Sequence, residues 1–439
     1  MYLIFSLLVF HLLSPLQMKL YKLFFFLLLP AITLTAQTTP EEIAQAPEKS
    51  AGVHYAYPVH EIGGQTAPPA GYEPFYISHF GRHGSRYLIS DTDYSRVLDL
   101  LKEARRSGAL TALGEQTLEK LEKVWVEAEW RGGDLSAVGV RELKGIAYRT
   151  YNRFPAVFKG NAEVEARSTT VVRCVLSMDA FCEQLKELNP ALEVSRDASI
   201  KYQRSLNHHT KEAIAYRSAP ERREEYQQFE KGKIRPDRLV SSLFSDKKFV
   251  ADKVDRRALM LDLFALAGNM QNVETPVSFY DLFEANELFD LWQLKNYRLY
   301  VNDANSALNG GLMFENTKPV LENILENAER YIRSGERGAT LRFAHDGNII
   351  PLALLLHLKD TYTSVADPAG FYKAWSDFKV APMAGNIQLV FFRNKESGTV
   401  LVKFLFHEKE TEVPVLRTDT FPYYDWKDVK AFYLSLLKK

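Results

Sequence analysis

The chain has 439 residues, equal numbers of basic and acidic side chains (55 each), 46% apolar residues and two cysteines. This composition is that of a well-packed globular protein, and it excludes a disordered, fibrous or disulfide-stapled one. Zero net charge also removes the global electrostatic argument for binding nucleic acid or a membrane surface, because such binding depends on a large basic excess.

The first 37 residues differ in composition from the rest, since they contain no Asp or Glu and only two lysines. From Met18 onward they follow the pattern of a secretory signal peptide, with Lys19 and Lys22 as the charged region and residues 23–34 as the apolar region. We therefore expect residues 1–37 to be a signal peptide, with Met18 as a second candidate start. The mature protein is then periplasmic or secreted, without stable membrane association. An uncleaved membrane anchor that runs through both apolar stretches is the alternative.

Alternating strand and helix patterns predict an α/β fold. An aromatic and β-branched run at residues 75–80 predicts a strand. Amphipathic spacing then predicts helices within residues 93–108 and 133–154, and residues 163–185 change from strand to helix character. Later in the chain, a short strand at residues 340–343 lies between two predicted helices.

Two further segments, residues 385–394 and 398–410, alternate in hydrophobicity and are joined by a short turn, which predicts a hairpin at the sheet edge. Between residues 189 and 296 the sequence is instead charged and helical, with few strand signals. We therefore predict a core formed by residues 38–188 and 297–439, with a mainly parallel sheet flanked by helices. Residues 189–296 are predicted to form an inserted, mainly α-helical cap.

The segment Arg82-His83-Gly84-Ser85-Arg86 follows directly on the first predicted strand, where an open α/β sheet places its ligand crevice. A guanidinium presents a planar fork that binds two phosphoryl oxygens, and a neutral imidazole between two such forks could attack phosphorus in line. Glycine lets the backbone approach closely. The plainer interpretation is a surface loop with solvated arginines and a satisfied histidine.

A second polar pair, His345 and Asp346, ends the short strand predicted at residues 340–343 and opens a helix. Anions favour helix N-termini, so this helix could point backbone N–H groups at the same crevice. His345 could bond a phosphoryl oxygen, and a protonated Asp346 could donate a proton to a leaving alcohol. The plainer interpretation makes Asp346 a helix N-cap and His345 a polar strand end.

In this order the two motifs resemble those of the histidine acid phosphatases, a branch of the phosphoglycerate-mutase-like superfamily with paired Arg-His-Gly-x-Arg and His-Asp signatures. The resemblance implies a phosphoglycerate-mutase-like α/β core. It also implies that His83 is the nucleophile that forms a phosphohistidine and that Asp346 is the general acid. The phosphate-binding residues that it implies are Arg82, Arg86, Arg167 and His345.

Within that family, residues 383–393 and 400–414 are similar to the C-terminal strand pair of multiple inositol polyphosphate phosphatases, which implies a phytate-type substrate. One departure weakens this assignment. That group commonly carries His-Ala-Glu at the late motif, whereas Asp346 follows His345 directly here, as in phytases and general acid phosphatases.

The predicted cap contains a basic stretch, since residues 201–257 hold fifteen Lys and Arg against nine Asp and Glu. Such a stretch over an arginine-rich pocket would suit a polyanionic substrate, although each of its side chains could equally belong to a solvated helix face. The candidate substrate contacts are Arg204, His208, His209 and Lys211. The chain carries no zinc motif, no GxxxxGK[ST] loop and no GxSxG elbow, so we expect histidine chemistry without a metal or cofactor.

The sequence therefore predicts an exported phosphomonoesterase that removes phosphate from inositol polyphosphates, a small-molecule substrate, and that binds no nucleic acid. A broad-specificity acid phosphatase and a phosphotransferase of the same superfamily are the alternatives within the enzyme class. A non-catalytic inositol-phosphate-binding protein is the alternative from a different class. It would have no need of a nucleophile and a general acid together.

Overall fold

The structure is a computed structural model that describes residues 39–58 and 64–438. The predicted signal peptide at residues 1–37 lies outside these residues and stays a prediction. No helix in the described ranges is long and apolar enough to cross a membrane.

A mixed eight-stranded sheet lies at the centre of the described chain. Its strands are β1 (Tyr72–Arg82), β2 (Glu163–Ser168), β3 (Glu193–Asp197), β4 (Gly338–Ala344), β5 (Asn386–Asn394), β6 (Val400–Phe406), β7 (Lys409–Glu410) and β8 (Tyr423–Asp425). The strand order is β3-β2-β4-β1-β5-β6-β7, and β8 pairs with β6. Strands β3, β2, β4 and β1 run parallel, whereas β5 is antiparallel to β1 and forms a hairpin with β6. The predicted α/β class and the predicted hairpin are confirmed.

Helices surround this sheet. In the described residues they are α1 (Thr39–Gln45), α2 (Thr92–Arg106), α3 (Ala112–Ala128), α4 (Ala137–Arg153), α5 (Val172–Leu188), α6 (Lys211–Ser218), α7 (Pro220–Glu230), α8 (Asp237–Leu243), α9 (Lys247–Lys253), α10 (Arg256–Asn269), α11 (Ala285–Asp303), α12 (Lys318–Ser334), α13 (Asp346–Leu355), α14 (Asp377–Val380) and α15 (Trp426–Leu437). A tight 3₁₀ segment, Pro47–His54, precedes β1.

Apolar side chains cover both faces of the sheet, which is why β4 is buried along its whole length. On one face, Ile77 and Leu341 belong to an apolar cluster that includes Leu143 of α4 and Phe181 of α5. On the other face, Tyr76 stacks on Tyr331 of α12 with ring centroids 4.3 Å apart. Because both faces are covered, polar side chains collect at the carboxyl ends of β1 and β4.

At each end of the predicted cap, residues 189–296, lies an element that continues into the rest of the fold. Strand β3 lies inside the predicted cap and pairs with β2, and α11 runs beyond it to Asp303. Strand β3 is a short, polar and mostly exposed edge strand, so hydrophobic alternation could not reveal it. The helices between share an apolar cluster with α2 and α3, and Thr111 N at the start of α3 donates to Leu243 O of α8 at 3.0 Å. Helices α8 and α10 therefore pack against α3 and α2, and the division of the chain into core and cap stays a prediction.

Candidate active site

The first sequence motif lies where three strand ends meet. Arg82 N donates to Gly385 O at 2.8 Å, just before β5, and His83 N donates to Ala344 O at 3.0 Å, at the end of β4. Ala384 N donates in turn to His83 O at 2.9 Å. These backbone bonds fix Arg82 and His83 at the carboxyl ends of the parallel strands, which is the usual ligand position in such sheets.

Helix α4 anchors the next residues of this loop, Gly84 and Ser85. The buried Glu142 carboxylate accepts bonds from Ser85 N at 2.7 Å and Ser85 Oγ at 2.8 Å. Ser136, at the N-cap of α4, donates from its backbone N to Ser85 O at 2.9 Å. A Cβ atom at Gly84 would lie 2.6 Å from Gly139 O, so only glycine lets the loop approach the helix this closely.

His83 is held in a defined tautomer. Its Nδ1 lies 2.9 Å from Gly84 O. A carbonyl oxygen only accepts, so Nδ1 carries the proton and Nε2 keeps a free electron pair. Burial, and then the charges of Arg82 and Arg173, lower the pKa of His83 well below its usual value. The ring is therefore a neutral imidazole that can act as a nucleophile.

Arg82 is completely buried, with 0% of its surface exposed. Its Nη1 donates to Val53 O and, at 2.7 Å, to Ala381 O, while its Nη2 donates to Asp346 Oδ2 at 3.1 Å. The carbonyl bonds orient the guanidinium, and Asp346 is its charged partner. A buried charge needs such partners to be tolerated.

Arg86 stands on the other side of His83 in the motif. Its Nη1 donates to Tyr87 O at 2.7 Å, and its Nη2 lies 3.1 Å from His54 Nε2. Burial, followed by the charge of Arg82, lowers the pKa of Arg86 to about 10. The guanidinium keeps its charge at neutral pH and is available to an anion.

The second motif reaches the same crevice. The ring centroids of His83 and His345 are 5.6 Å apart, and His345 Nε2 lies 3.2 Å from Thr169 Oγ1. Burial, followed by the charge of Arg173, lowers the pKa of His345 to about 4. Burial alone would raise the pKa of Asp346, but the charge of Arg82, helped by the Gly347 N–H and by Arg86, outweighs it and holds that pKa well below its usual value. The Asp346 side chain is 31% exposed, so a bound ligand could reach it.

Among the described residues, no contact joins Arg167 to the residues of the two motifs. Its Nη2 lies 3.3 Å from Glu165 Oε2, and its guanidinium stacks on the Tyr202 ring at 4.0 Å. The third guanidinium whose charge acts on His83 is that of Arg173, the second residue of α5. Residue 167 still belongs to β2, where side chains alternate between the two faces, whereas residue 173 begins the helix that follows. Arg173 is therefore a second candidate, beside Arg167, for the third phosphate ligand.

The four predicted cap residues have different surroundings. Arg204 is 74% exposed at the side chain and lies 3.8 Å from Glu322, and Lys211 is exposed at the start of α6. His208 is half-buried beside His209. Burial, followed by the charge of Arg217, lowers the pKa of His209 to about 4, and its Nδ1 lies 3.3 Å from Arg217 Nη1.

Sequence reasoning missed several buried groups that adjoin these motifs. Asp303 Oδ1 lies 2.5 Å from Arg217 Nη2, and burial raises the pKa of Asp303 to about 7. Lys295 of α11 lies 2.8 Å from His54 Nδ1. Each of these side chains occurs in a helical or lead-in segment without a local motif, so only the tertiary fold reveals them. Arg173 is the exception, since it lies in the segment already singled out and opens the predicted helix.

Solved structures share this fold. The multiple inositol polyphosphate phosphatase of Bifidobacterium longum, solved with inositol hexasulfate, matches with a TM-score of 0.75 at 16% identity, over 88% of this chain and 97% of that one. The phytase from D. castellii matches with a TM-score of 0.65 at 13% identity, over 89% and 85% of the two chains. The phytase from Citrobacter braakii matches with a TM-score of 0.54 at 12% identity, over 83% and 98%. A comparison with curated proteins finds no match.

The family comparison includes both motifs. The profile of the histidine phosphatase superfamily (branch 2) matches residues 80–407, a span that contains the Arg82 to Arg86 loop as well as His345 and Asp346. This match covers most of the chain and agrees with the fold and with the resemblance drawn from the motifs, which is thereby confirmed. The chain belongs to branch 2 of the histidine phosphatase superfamily and is, with that family, a hydrolase.

Proposed function

We propose that this protein hydrolyses phosphomonoesters through a covalent phosphohistidine on His83, and that its substrates are inositol polyphosphates. The observation that carries the proposal is the state of His83. Its Nδ1–H is bonded to Gly84 O, its Nε2 is unprotonated, and the charges of Arg82, Arg173 and Arg86 surround it. A nitrogen nucleophile among three guanidiniums suits phosphoryl transfer, where positioning and charge stabilisation dominate.

In the first step, Nε2 of His83 attacks phosphorus, and the N–P bond forms as the bond to the leaving oxygen breaks. Arg82, Arg86 and Arg173 stabilise the charge on the phosphoryl oxygens, with His345 as a further hydrogen-bond partner. Asp346 gives its proton to the leaving oxygen, so that the product departs as a neutral alcohol.

In the second step, a water molecule attacks phosphorus from the side that the alcohol has left. The N–P bond breaks and returns its electron pair to His83 Nε2. Asp346, now ionised, takes the proton from the attacking water, which restores both residues and releases inorganic phosphate.

Because the pKa of Asp346 is low in the free protein, Asp346 can donate a proton only after the substrate has raised that pKa or has brought a proton with it. An entering phosphate competes for Arg82 and adds negative charge beside the carboxylate, and both effects raise the pKa of Asp346. A phosphate monoester has a second pKa of about 6, so the monoanion present at acidic pH brings the proton with it. We therefore expect activity to be highest at acidic pH.

The substrate class is proposed from the charge around the site. The helical stretch at residues 201–257 carries fifteen basic side chains against nine acidic ones. Arg217 connects that stretch to the motif pair, since it contacts Asp303, whose pKa the charge of Asp346 helps to raise. Positive charge beside a phosphate pocket favours a polyanionic substrate over a singly phosphorylated one. The signal-peptide pattern at residues 1–37 supports export to the periplasm or the exterior.

The proposal is tested by phosphate release and product profiling on inositol hexakisphosphate, with glycerol phosphate and p-nitrophenyl phosphate measured alongside. We expect kcat/KM for inositol hexakisphosphate to exceed that for glycerol phosphate by about tenfold or more, equivalent to about 1.4 kcal/mol. Equal values would indicate a broad-specificity acid phosphatase. Binding without release of phosphate from any of the three would indicate a non-catalytic protein, and transfer of phosphate to an acceptor would indicate a phosphotransferase.

A further inference from the structure

A small cavity lies between the junction of α6 with α7 and one face of α11. Its volume is about 220 Å³, and no Asp or Glu is among the described residues that line it. Four of the lining residues are arginines and two are tyrosines, namely Arg217, Arg222, Arg223, Tyr226, Tyr297 and Arg298. The wall of this cavity is therefore strongly basic.

The packing of two helices brings these side chains together. In α7 and in α11, lining residues occur four positions apart, and side chains at that spacing share one face of a helix. Beside the cavity, the ring of Phe229 in α7 stacks on that of Tyr297 in α11, with ring centroids 3.9 Å apart. This contact holds the two helices together, so that Arg298 lines the same cavity as Arg222 and Arg223.

Two of the four guanidiniums already have a carboxylate partner. Arg217 Nη2 lies 2.5 Å from Asp303 Oδ1. Arg222 Nη2 donates to Glu225 Oε2, which belongs to the same helix. A carboxylate partner neutralises a guanidinium and fixes its orientation. These two arginines therefore add oriented N–H groups to the wall but little net charge.

The other two guanidiniums carry the net charge of the cavity. Within the part of the chain that the structure describes, those of Arg223 and Arg298 make no hydrogen bond, ion pair or ring contact. Both side chains are exposed, so an ion in solution can reach them. Like charges on the wall of one small cavity repel each other, and an anion bound beside both of them offsets that repulsion.

The size of the cavity limits what it can hold. Its volume of about 220 Å³ is below the roughly 300–1,000 Å³ of pockets that enclose drug-sized ligands. A single phosphate or sulfate group is small enough for it, and such a group can direct its oxygens at several guanidiniums at once. The cavity therefore suits one tetrahedral oxyanion.

Arg217 connects this cavity with the surroundings of the motif pair. The Asp303 oxygen that it contacts would lie 3.6 Å from a Cβ atom on Gly347, the residue after Asp346. The other terminal nitrogen of Arg217 lies 3.3 Å from His209 Nδ1. No residue of either motif is among the described residues that line the cavity. The cavity is therefore separate from the proposed phosphate site, and the ion pair of Arg217 with Asp303 adjoins both.

We propose that this cavity is a second oxyanion site, which binds one phosphate or sulfate ion through Arg223 and Arg298, with Arg217 and Arg222 as oriented donors. The same chemistry could come from a free ion or from a distal phosphate of a bound inositol polyphosphate. The small volume and the separation from the motifs favour the free ion. None of the four arginines has a step in the proposed reaction, so the site goes beyond the proposed function.

Equilibrium dialysis against radiolabelled sulfate, at constant ionic strength, counts the ions bound to each full-length chain. At saturation we expect the double variant Arg223→Gln/Arg298→Gln to bind one sulfate fewer than the wild type. Each single variant should raise the Kd of that site about tenfold or more, because a hydrogen bond from a charged donor is lost. Both side chains are exposed, so the variants should fold as the wild type does.

The matched control is Arg106→Gln/Arg417→Gln, which removes two exposed arginines elsewhere on the surface and should bind as many sulfates as the wild type. Equal counts in the wild type and in the cavity variant would overturn the proposal, as would a loss of one sulfate in the control or no sulfate binding by the wild type. If only the proposed phosphate site is wrong, every count is lower by one, but the difference between the wild type and the cavity variant persists.

A second arm of the experiment separates the two sources of the oxyanion. The dialysis is repeated with saturating inositol hexasulfate, which is not hydrolysed as a phosphate ester. A site for a free ion keeps its sulfate under these conditions, and the cavity variant again binds one sulfate fewer. Displacement of that sulfate would show that a group of the larger ligand occupies the cavity, which would overturn the separate site.

Discussion

Replacing Arg173 by alanine should cost this enzyme far more activity than the same replacement at Arg167. Arg173 is one of the charges that lower the pKa of both His83 and His345, and on that ground we assign it to the proposed phosphate pocket. Removing one preorganised donor to a developing anion usually costs about 10²–10³ in kcat, or roughly 3–4 kcal/mol. We expect a loss of that size for Arg173→Ala.

Arg167 offers no such role. Its contacts are an ion pair with Glu165 at 3.3 Å, in which the Arg167 side chain is 28% exposed, and a cation–π contact with Tyr202 at 4.0 Å. Partly exposed pairs of this kind contribute about 0–1 kcal/mol each to stability. Arg167→Ala should therefore lower the free energy of unfolding by about 1 kcal/mol and leave kcat within about threefold.

The assay is steady-state hydrolysis of p-nitrophenyl phosphate by both variants, with thermal unfolding of each measured in parallel. Arg173→Lys serves as a third protein, because it keeps the charge but loses the planar fork and should recover only part of the activity. Equal losses in the two alanine variants, or a large loss confined to Arg167→Ala, would refute the assignment of Arg173 to the pocket.

Three other substitutions test the remaining parts of the site. His83→Ala should abolish hydrolysis of every phosphate ester while sulfate still binds, and more than a trace of activity would exclude His83 as the nucleophile. Asp346→Asn should slow glycerol phosphate by about 10²–10⁴ but p-nitrophenyl phosphate much less, because a good leaving group needs no proton; equal losses on both would contradict the general-acid role. Gly52→Ala, at φ 61°, would place a Cβ 2.2 Å from Asp377 Oδ2, whereas Gly160→Ala, at a similar φ of 65°, would place its Cβ in open space. Chemical denaturation should therefore show that Gly52→Ala lowers the free energy of unfolding by about 1–3 kcal/mol more than Gly160→Ala does. Similar losses in these two glycine variants would show that the contact with Asp377 is of no consequence.

The parts of the site that follow strand ends could be predicted from the sequence. Arg82, His83 and Arg86 come directly after β1, and His345 and Asp346 come directly after β4, so the strand pattern places both motifs at one edge of the sheet. The proposed third phosphate-binding arginine is harder to predict, since the choice between residues 167 and 173 depends on where β2 ends and α5 begins. Element boundaries of this kind are the least certain feature of a sequence pattern.

Groups that reach the site from distant elements leave no local signal. His54 and Lys295 meet across 241 positions of the chain, and neither occurs in a motif. The edge strand β3 leaves no periodic signal in the sequence, because its exposed and polar residues do not alternate with apolar ones. Periodicity detects an element only when one of its faces is buried, and motifs detect only groups that are close in sequence.

The segment before β1 shows how much of the site depends on such distant contacts. Val53 O accepts from Arg82 Nη1, and the next residue, His54, contacts Arg86. The segment is itself anchored by the buried Asp377, whose Oδ2 accepts from Val53 N at 3.1 Å and whose Oδ1 accepts from Trp292 Nε1 at 2.9 Å. Burial raises the pKa of Asp377 to about 6, so this anchor becomes fully charged only near neutral pH, whereas its role as an acceptor persists below that.

Both motif arginines are thus oriented by a segment that the sequence presents only as a lead-in to the first strand. A guanidinium can hold a phosphoryl oxygen precisely only if its remaining N–H groups are fixed by other acceptors, because an unfixed side chain would lose conformational entropy on each binding event. Val53 and Ala381 supply those acceptors to Arg82, and Tyr87 and His54 supply them to Arg86. The catalytic motif therefore supplies the charged groups, and the parts of the fold without any motif supply their orientation.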